Sequence, residues 1–258
     1  MNRNAIRRAA AWTAAALIAA SANAQSPTPP DPAAALRAAD QAMYPPSFSM
    51  AVAITTRKAD GTRTEMSLTI AHKADVGSFM ELTAPARSKG TRFLQTADAL
   101  WMYSPKAGSR TALRLSPRDS FQGSVFSNND ISDSTWANDY APSLAGDAVL
   151  DTADFGPTPV WIIAGAALRR DVPYGAIRLY LRKADLLPLR VEYDAKSGLA
   201  VKTLDLADFA PVAGRLRPRR LVMAAADGSG ERSEVILSDL RERTDLGDAM
   251  FSQAWLVR

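Results

Sequence analysis

Apolar side chains in this chain recur at every second position, run after run, and that spacing limits it to a fold built on β-sheet. Phe48, Met50, Val52 and Ile54 stand against Ser49, Ala51, Ala53 and Thr55. A strand sends successive side chains to opposite faces, so this run reads as a half-buried strand; a helix, at about 3.6 residues per turn, would scatter the same four side chains around its circumference. Asp60-Gly61 is a hairpin turn signal, and beyond it Met66, Leu68 and Ile70 alternate against Glu65, Ser67 and Thr69. Met80 and Leu82 continue the apolar face against Glu81 and Thr83, and further strands are expected near 91–96, 99–104 and 110–115. A second series follows at 159–164, at Ile177, Leu179 and Leu181, and at Leu187, Leu189, Val191 and Tyr193. Lys196-Ser197-Gly198 turns the chain into runs at 199–209, 216–225 and 231–240, with Asp227-Gly228 between the last two. Within each series the links are short. Parallel neighbours need crossovers of about a dozen residues or more, so the strands are expected to form an antiparallel meander.

A sheet with one apolar face must cover that face or close upon itself. Two segments break the alternation and can serve as covers. Residues 32–43 favour helix, with Asp31 as N-cap, Pro32 at the first position and Pro45-Pro46 as the stop. Residues 116–145 space Phe121, Val125, Phe126, Ile131, Trp136 and Tyr140 irregularly among Asp, Asn, Ser and Gly, which reads as one or two short helices and loops lying over the sheet. A long antiparallel sheet tends to curl. Covers that fill its hollow incompletely leave a cavity lined by Met, Leu, Ile and aromatic side chains, a site for an acyl chain.

The N-terminus carries Arg3, Arg7 and Arg8, an apolar run over 9–20 and Ala22-Asn23-Ala24, the three parts of a secretory signal peptide with cleavage expected before Gln25. The apolar run is shorter than the roughly 20 residues that span a bilayer. Residues 25–31 read as a proline-rich tether, and 32–258 as a single domain. Three of the 31 basic residues leave with the signal, so 28 face 27 acidic ones and nucleic-acid binding loses its electrostatic basis. The chain has no cysteine, which rules out disulfides, thiol chemistry and an acylated N-terminal cysteine.

Lys89-Gly90-Thr91-Arg92-Phe93-Leu94, followed by Leu100-Trp101-Met102-Tyr103-Ser104-Pro105, resembles the paired strands of the outer-membrane lipoprotein-sorting (LolA-like) family. Three further pieces agree in the family's order: residues 123–131 from Gly123 to Ile131, then Tyr174-Gly175-Ala176-Ile177, then residues 202–209 from Lys202 to Phe209. The resemblance runs from about Phe48 to Leu240. It implies a mainly β protein with a few helices (α+β): a curved antiparallel sheet forming an incomplete, half β-barrel covered by helices, with a hydrophobic cavity for lipid or lipoprotein acyl chains. The arginine that locks the lid in the well-studied carriers matches no residue of these motifs.

The alternation and the resemblance together nominate lining residues: Met50, Val52, Ile54, Leu68, Ile70, Met80, Leu82, Leu94, Leu113, Ile177 and Leu179 from strands, and Phe126 and Trp136 from the insertion. Trp101 and Tyr103 share one face of their strand and Leu100 and Met102 the other; the aromatic pair is assigned to the lining, although either face fits and all four can simply fill the core. Arg215, Arg217 and Arg219 alternate onto one side of a strand, either as a solvated face or as a docking patch for an acidic partner or anionic head groups. His72, the one histidine, has no G-x-S-x-G companion and reads as a strand-end residue. Asn129, Asp130 and Asp133 lack the spacing of a calcium loop, and Asp130 reads as a helix cap. The expected function is a periplasmic carrier or chaperone for acyl chains that is not an enzyme and needs no cofactor or metal. Its expected partners are an inner-membrane transporter or outer-membrane acceptor and no nucleic acid, with the chain a monomer. The alternative is a periplasmic sensor or accessory subunit that binds a partner membrane protein.

Overall fold

The computed structural model describes residues 28–97, 99–108, 111–131 and 135–258. The expected signal peptide and the first part of the tether, together with Arg110 and Asp133, lie outside the described residues. Helix α1 (Pro32–Met43) starts as its sequence demands: Asp31 accepts a hydrogen bond from the Ala34 N–H at 2.8 Å, and Pro32 occupies the first turn. Its buried side, Ala35, Leu36, Ala39 and Met43, has the three- and four-residue spacing of one helix face.

The strands follow in two meanders. The first is β1 (Ser47–Arg57), β2 (Arg63–Lys73), β3 (Gly77–Ala84), β4 (Arg92–Thr96), β5 (Ala99–Tyr103) and β6 (Leu113–Leu115). The second is β7 (Tyr140–Thr152), β8 (Gly156–Ala167), β9 (Ala176–Arg182), β10 (Pro188–Asp194), β11 (Ala200–Val212), β12 (Arg215–Ala225) and β13 (Arg232–Glu242). All neighbours pair antiparallel in one sheet of order β6-β5-β4-β3-β2-β1-β13-β12-β11-β10-β9-β8-β7. The meanders are joined by β1 and β13, paired from Phe48↔Glu242 to Arg57↔Arg232.

Laid flat, a sheet of this many strands would be about 60 Å wide at the usual strand spacing. Met80 of β3, Phe93 of β4, Ile163 of β8 and Ile177 of β9 nevertheless enter one continuous apolar core. The sheet is therefore curved around that core, and it stays open, because edge strands β6 and β7 do not pair. Register builds apolar rows across the concave face: Leu237 opposes Val52, Val52 opposes Leu68, and Leu68 opposes Leu82. The convex face is covered on one side by the C-terminal segment, where Leu246, Phe251 and Leu256 pack on Phe79 and Leu94. This double cover explains why β3 and β4 are buried on both faces. Gly77 opens β3 at φ 148°, where a Cβ would lie 2.2 Å from the Gln95 carbonyl oxygen, so only glycine lets β3 meet β4 here.

Because β6 and β7 are consecutive in the chain yet form opposite edges, residues 116–139 must span the open side of the sheet. This crossover carries a 3-10 turn at Phe121–Gly123 and the single-turn helix α2 (Trp136–Asp139), capped by Thr135. The expectation of short helices and loops fits the described residues of 116–139 but not the last six of the segment: β7 begins at Tyr140. Apart from Tyr140, β7 is exposed or half-exposed along its length, so an edge strand wet on both faces shows no alternation of burial.

Candidate functional site

Between the concave face and its covers lies a cavity of about 700 Å³. Its floor is built from alternate residues of β1 to β3, with Met50, Val52 and Ile54 on β1, Leu68 and Ile70 on β2, and Met80 on β3. Phe126 and Trp136 of the crossover face them. The second meander supplies as much of the wall: Leu204 of β11, Leu221 and Met223 of β12, and Val235 and Leu237 of β13. Tyr44 and Phe48 stack at 5.1 Å between ring centroids beside the end of α1.

The remaining nominated residues lie elsewhere. Leu82, Ile177 and Leu179 share the concave face but sit in the solidly packed part of the core, at most 1% exposed, and do not line the cavity. Leu94, Trp101 and Tyr103 point the opposite way, into the convex-face cluster under the C-terminal segment. It is Leu100 and Met102 that join the concave core, because Met102 opposes Phe93, whereas Trp101 opposes Leu94. Leu113 follows Met102 in register but belongs to edge strand β6 and is 59% exposed.

Several polar groups line this apolar space. Asp40 of α1 accepts hydrogen bonds from the Trp136 and Ala137 N–H groups, both at 3.0 Å, so one helix supplies the N-terminal acceptor of another. Burial pushes the Asp40 carboxyl up to about 6, against the lowering pull of those two N–H groups. Asp139, also buried, pairs with Arg169 at 2.8 Å. His72 Nδ1 lies 3.0 Å from Ser78 Oγ, a cross-strand pair of β2 and β3, and the ring lies tilted against Phe48 at 5.0 Å between centroids.

The crossover is held to the sheet by a buried ion pair. Lys202 Nζ on β11 lies 2.5 Å from Asp130 Oδ2, with side chains 5% and 6% exposed. Asp130 also accepts from the Ser127 N–H at 2.7 Å and the Tyr174 hydroxyl at 3.1 Å. Lys202 further donates to the Val125 carbonyl and sits 4.7 Å above the Tyr174 ring. Burial, with the Asp130 charge adding to it, holds the Tyr174 phenol well above its ordinary value. Next to this network the Val125 N–H donates to Ser233 Oγ at 2.9 Å. Asp130 is thus the counter-ion of a lysine about seventy residues away rather than a helix cap.

The arginine run also differs from a uniform stripe. Arg217 is only 3% exposed and donates to the Gln41 carbonyl at 2.8 Å and the Val212 carbonyl at 3.2 Å. Arg215 stands at the cavity mouth, and Arg219 is exposed and pairs with Asp208 at 2.9 Å. Strand β12 pairs with β13 only over Arg220–Ala224, so its first residues diverge from β13 and pack against the C-terminal end of α1.

A family model described as "-like: Uncharacterized protein" matches residues 74–258. The chain is also similar, at 27% identity, to a LolA superfamily protein from Nitrosomonas europaea, over 88% of this chain and 100% of that one, with a TM-score of 0.78. The chain belongs to the LolA-like family. Two further solved structures share the LolA-like fold. One is a putative outer membrane lipoprotein-sorting protein domain from Vibrio parahaemolyticus, at 21% identity, over 88% of this chain and 98% of that one, with a TM-score of 0.75. The other is a DUF1329 family protein from Desulfovibrio piger, at 22% identity, over 88% and 100%, with a TM-score of 0.74. No curated protein matches the chain.

Within this LolA-like frame, the lining residues missed in the sequence had a visible signal. Leu204, Leu221, Met223, Val235 and Leu237 sit at alternate positions of apolar runs, although Val222 and Ile236 between them make the parity less plain than in β1 and β2. Their facing follows once β13 is known to pair with β1, a contact that no local pattern discloses.

Proposed function

We propose that this LolA-like protein is a periplasmic carrier that shields an acyl chain of a lipid or lipoprotein in its cavity on the way to the outer membrane. The observation that carries the reading is the cavity itself: a curved sheet directs Met, Leu, Ile and Val side chains from both meanders into one space that its covers leave unfilled. Assigning each methylene roughly the 30 Å³ share of a water molecule, the space is on the order of one long acyl chain. Apolar surface removed from water contributes about 25 cal/mol per Å², so enclosing such a chain supplies several kcal/mol of affinity with no covalent step and no cofactor. The role is that of a binding protein rather than an enzyme, receiving cargo from an inner-membrane transporter and yielding it to an outer-membrane acceptor. The similarity to a putative outer membrane lipoprotein-sorting domain supports the same direction. Native mass spectrometry of protein taken directly from the periplasm tests it. The expected result is a bound species that organic solvent removes; an empty protein, or one absent from the periplasm, refutes the reading.

A further inference from the structure

We propose that the cavity mouth is a binding site for the anionic head of an acyl-chain ligand, an oxyanion held between Arg217 and Arg215. The inference deepens the carrier reading and rests on it. Arg217 is 3% exposed, yet both of its hydrogen-bond acceptors are neutral backbone carbonyls, those of Val212 and Gln41. A guanidinium carries five N–H donors, so its donor capacity exceeds what these two acceptors use. Two other buried charges around the cavity have counter-ions, Asp130 in Lys202 and Asp139 in Arg169, while Asp40 accepts from two backbone N–H groups. Among the described residues Arg217 forms no ion pair.

The Gln41 carbonyl belongs to the last turn of α1, so Arg217 also satisfies a helix C-terminus, whose partial negative charge favours a cation. That contact explains how the charge is tolerated but supplies no counter-ion. Burial first, and the adjacent Arg215 charge second, hold the Arg217 guanidinium below its ordinary value, with Glu242 opposing. Arg215 lies two residues away on the same face of β12 and, among the described residues, has no ion-pair partner and reaches only the Gln41 amide oxygen at 3.5 Å. Glu242 lines the same mouth and disfavours an anion, but it is exposed and pairs with neither arginine. Further along the same face of β12, past Arg219, which Asp208 neutralises, come Leu221 and Met223, which line the apolar interior. One strand face therefore runs from two uncompensated cations to an apolar wall, the charge pattern of an amphiphile with a negative head and a hydrocarbon tail. Paired oxygens on carboxylate and phosphate suit the planar guanidinium fork, which binds them bidentately.

The test compares four sixteen-carbon ligands by calorimetric titration of the solvent-stripped protein: hexadecanoate, hexadecyl phosphate, hexadecanol and hexadecylamine. Both anions are expected to bind about tenfold or more tightly than the alcohol, the return expected of a charge-assisted hydrogen-bonded pair. The stronger of the two identifies carboxylate or phosphate as the preferred head. Arg217→Gln and Arg215→Gln should each reduce the ratio of anion to hexadecanol affinity. Arg215, exposed and outside the α1 contact made by Arg217, keeps the test valid if Arg217→Gln fails to fold. Equal affinity for anions and alcohol, a preference for the amine, or an undiminished anion preference in Arg215→Gln and folded Arg217→Gln overturns the head-group site while leaving the carrier standing. Binding of none of the four ligands overturns the carrier reading, and the site with it.

Discussion

Replacing Lys202 by methionine asks whether the crossover over the cavity is held down by charge. The substitution keeps the length of the stem and removes the ammonium that lies 2.5 Å from Asp130. Asp130 would keep the Ser127 N–H and the Tyr174 hydroxyl as donors, and lose its counter-ion in a place where its side chain is 6% exposed. Removing one partner of a buried pair costs about 3–5 kcal/mol, mostly the penalty of the charge left behind. For a protein of this size that is on the order of 10 °C in Tm. A second change, Asp130→Asn, removes the stranded charge while retaining an acceptor for the two remaining donors. The double variant should therefore recover at least about 2 kcal/mol relative to Lys202→Met, a coupling expected of side chains in direct contact. Urea denaturation gives the stabilities, and hydrogen exchange gives the location. Amides of 121–131 should lose protection in Lys202→Met before those of β9 to β12 do. A cost below about 1 kcal/mol, no recovery in the double variant, or loss of protection spread evenly over the sheet refutes the reasoning.

Met223→Trp places a larger ring in the cavity wall; it should cost about 1–3 kcal/mol in stability and abolish solvent-extractable lipid, measured by mass spectrometry per mole of folded protein. Leu94→Ala removes a fully buried side chain from the opposite face, so stability should fall by about 2–5 kcal/mol while lipid per folded molecule stays unchanged; parallel loss of lipid would place Leu94 in the site after all. Asp40 makes stability depend on pH. Its carboxyl rises from 3.8 to about 6 on folding, so between those values the native state binds the proton more tightly than the unfolded state, and stability falls as pH rises through the window. Relative to Asp40→Asn, the wild type should lose about 2 kcal/mol between pH 4 and pH 7, and a flat or rising difference in denaturation midpoints would show that burial does not dominate this site.

Strand by strand, the fold was largely legible because its alternation is strong wherever one face is buried. β1 and β2 read directly from Phe48 to Ile54 and from Met66 to Ile70, and α1 announced itself through Asp31 and Pro32. β7 escaped because an edge strand exposed on both faces has no apolar period to detect. The site was legible only in part. Parity identified the concave side of β1 to β3, but it could not decide which side of β5 faced inward, because a C-terminal segment gives that region a second apolar face. Period alone cannot distinguish two buried faces. Asp130 looked like an isolated cap, since its meeting with Lys202 depends on how the crossover returns over β11. Arg217 looked solvated for the same reason: its neighbours Gln41 and Val212 come from α1 and from the preceding strand.

The pairing of β1 with β13, between strands from opposite ends of the chain, makes the two meanders halves of one sheet whose other link is the crossover. Each half can zip from hairpin to hairpin using contacts close in sequence, whereas the central seam must wait for two distant segments to find one another, which makes it the natural slow step of folding. It also means that a break in the crossover would divide the chain at the sheet's rim rather than through its middle. Two separately expressed fragments, meeting along that seam, have the geometry of a split protein that reassembles around its own cavity.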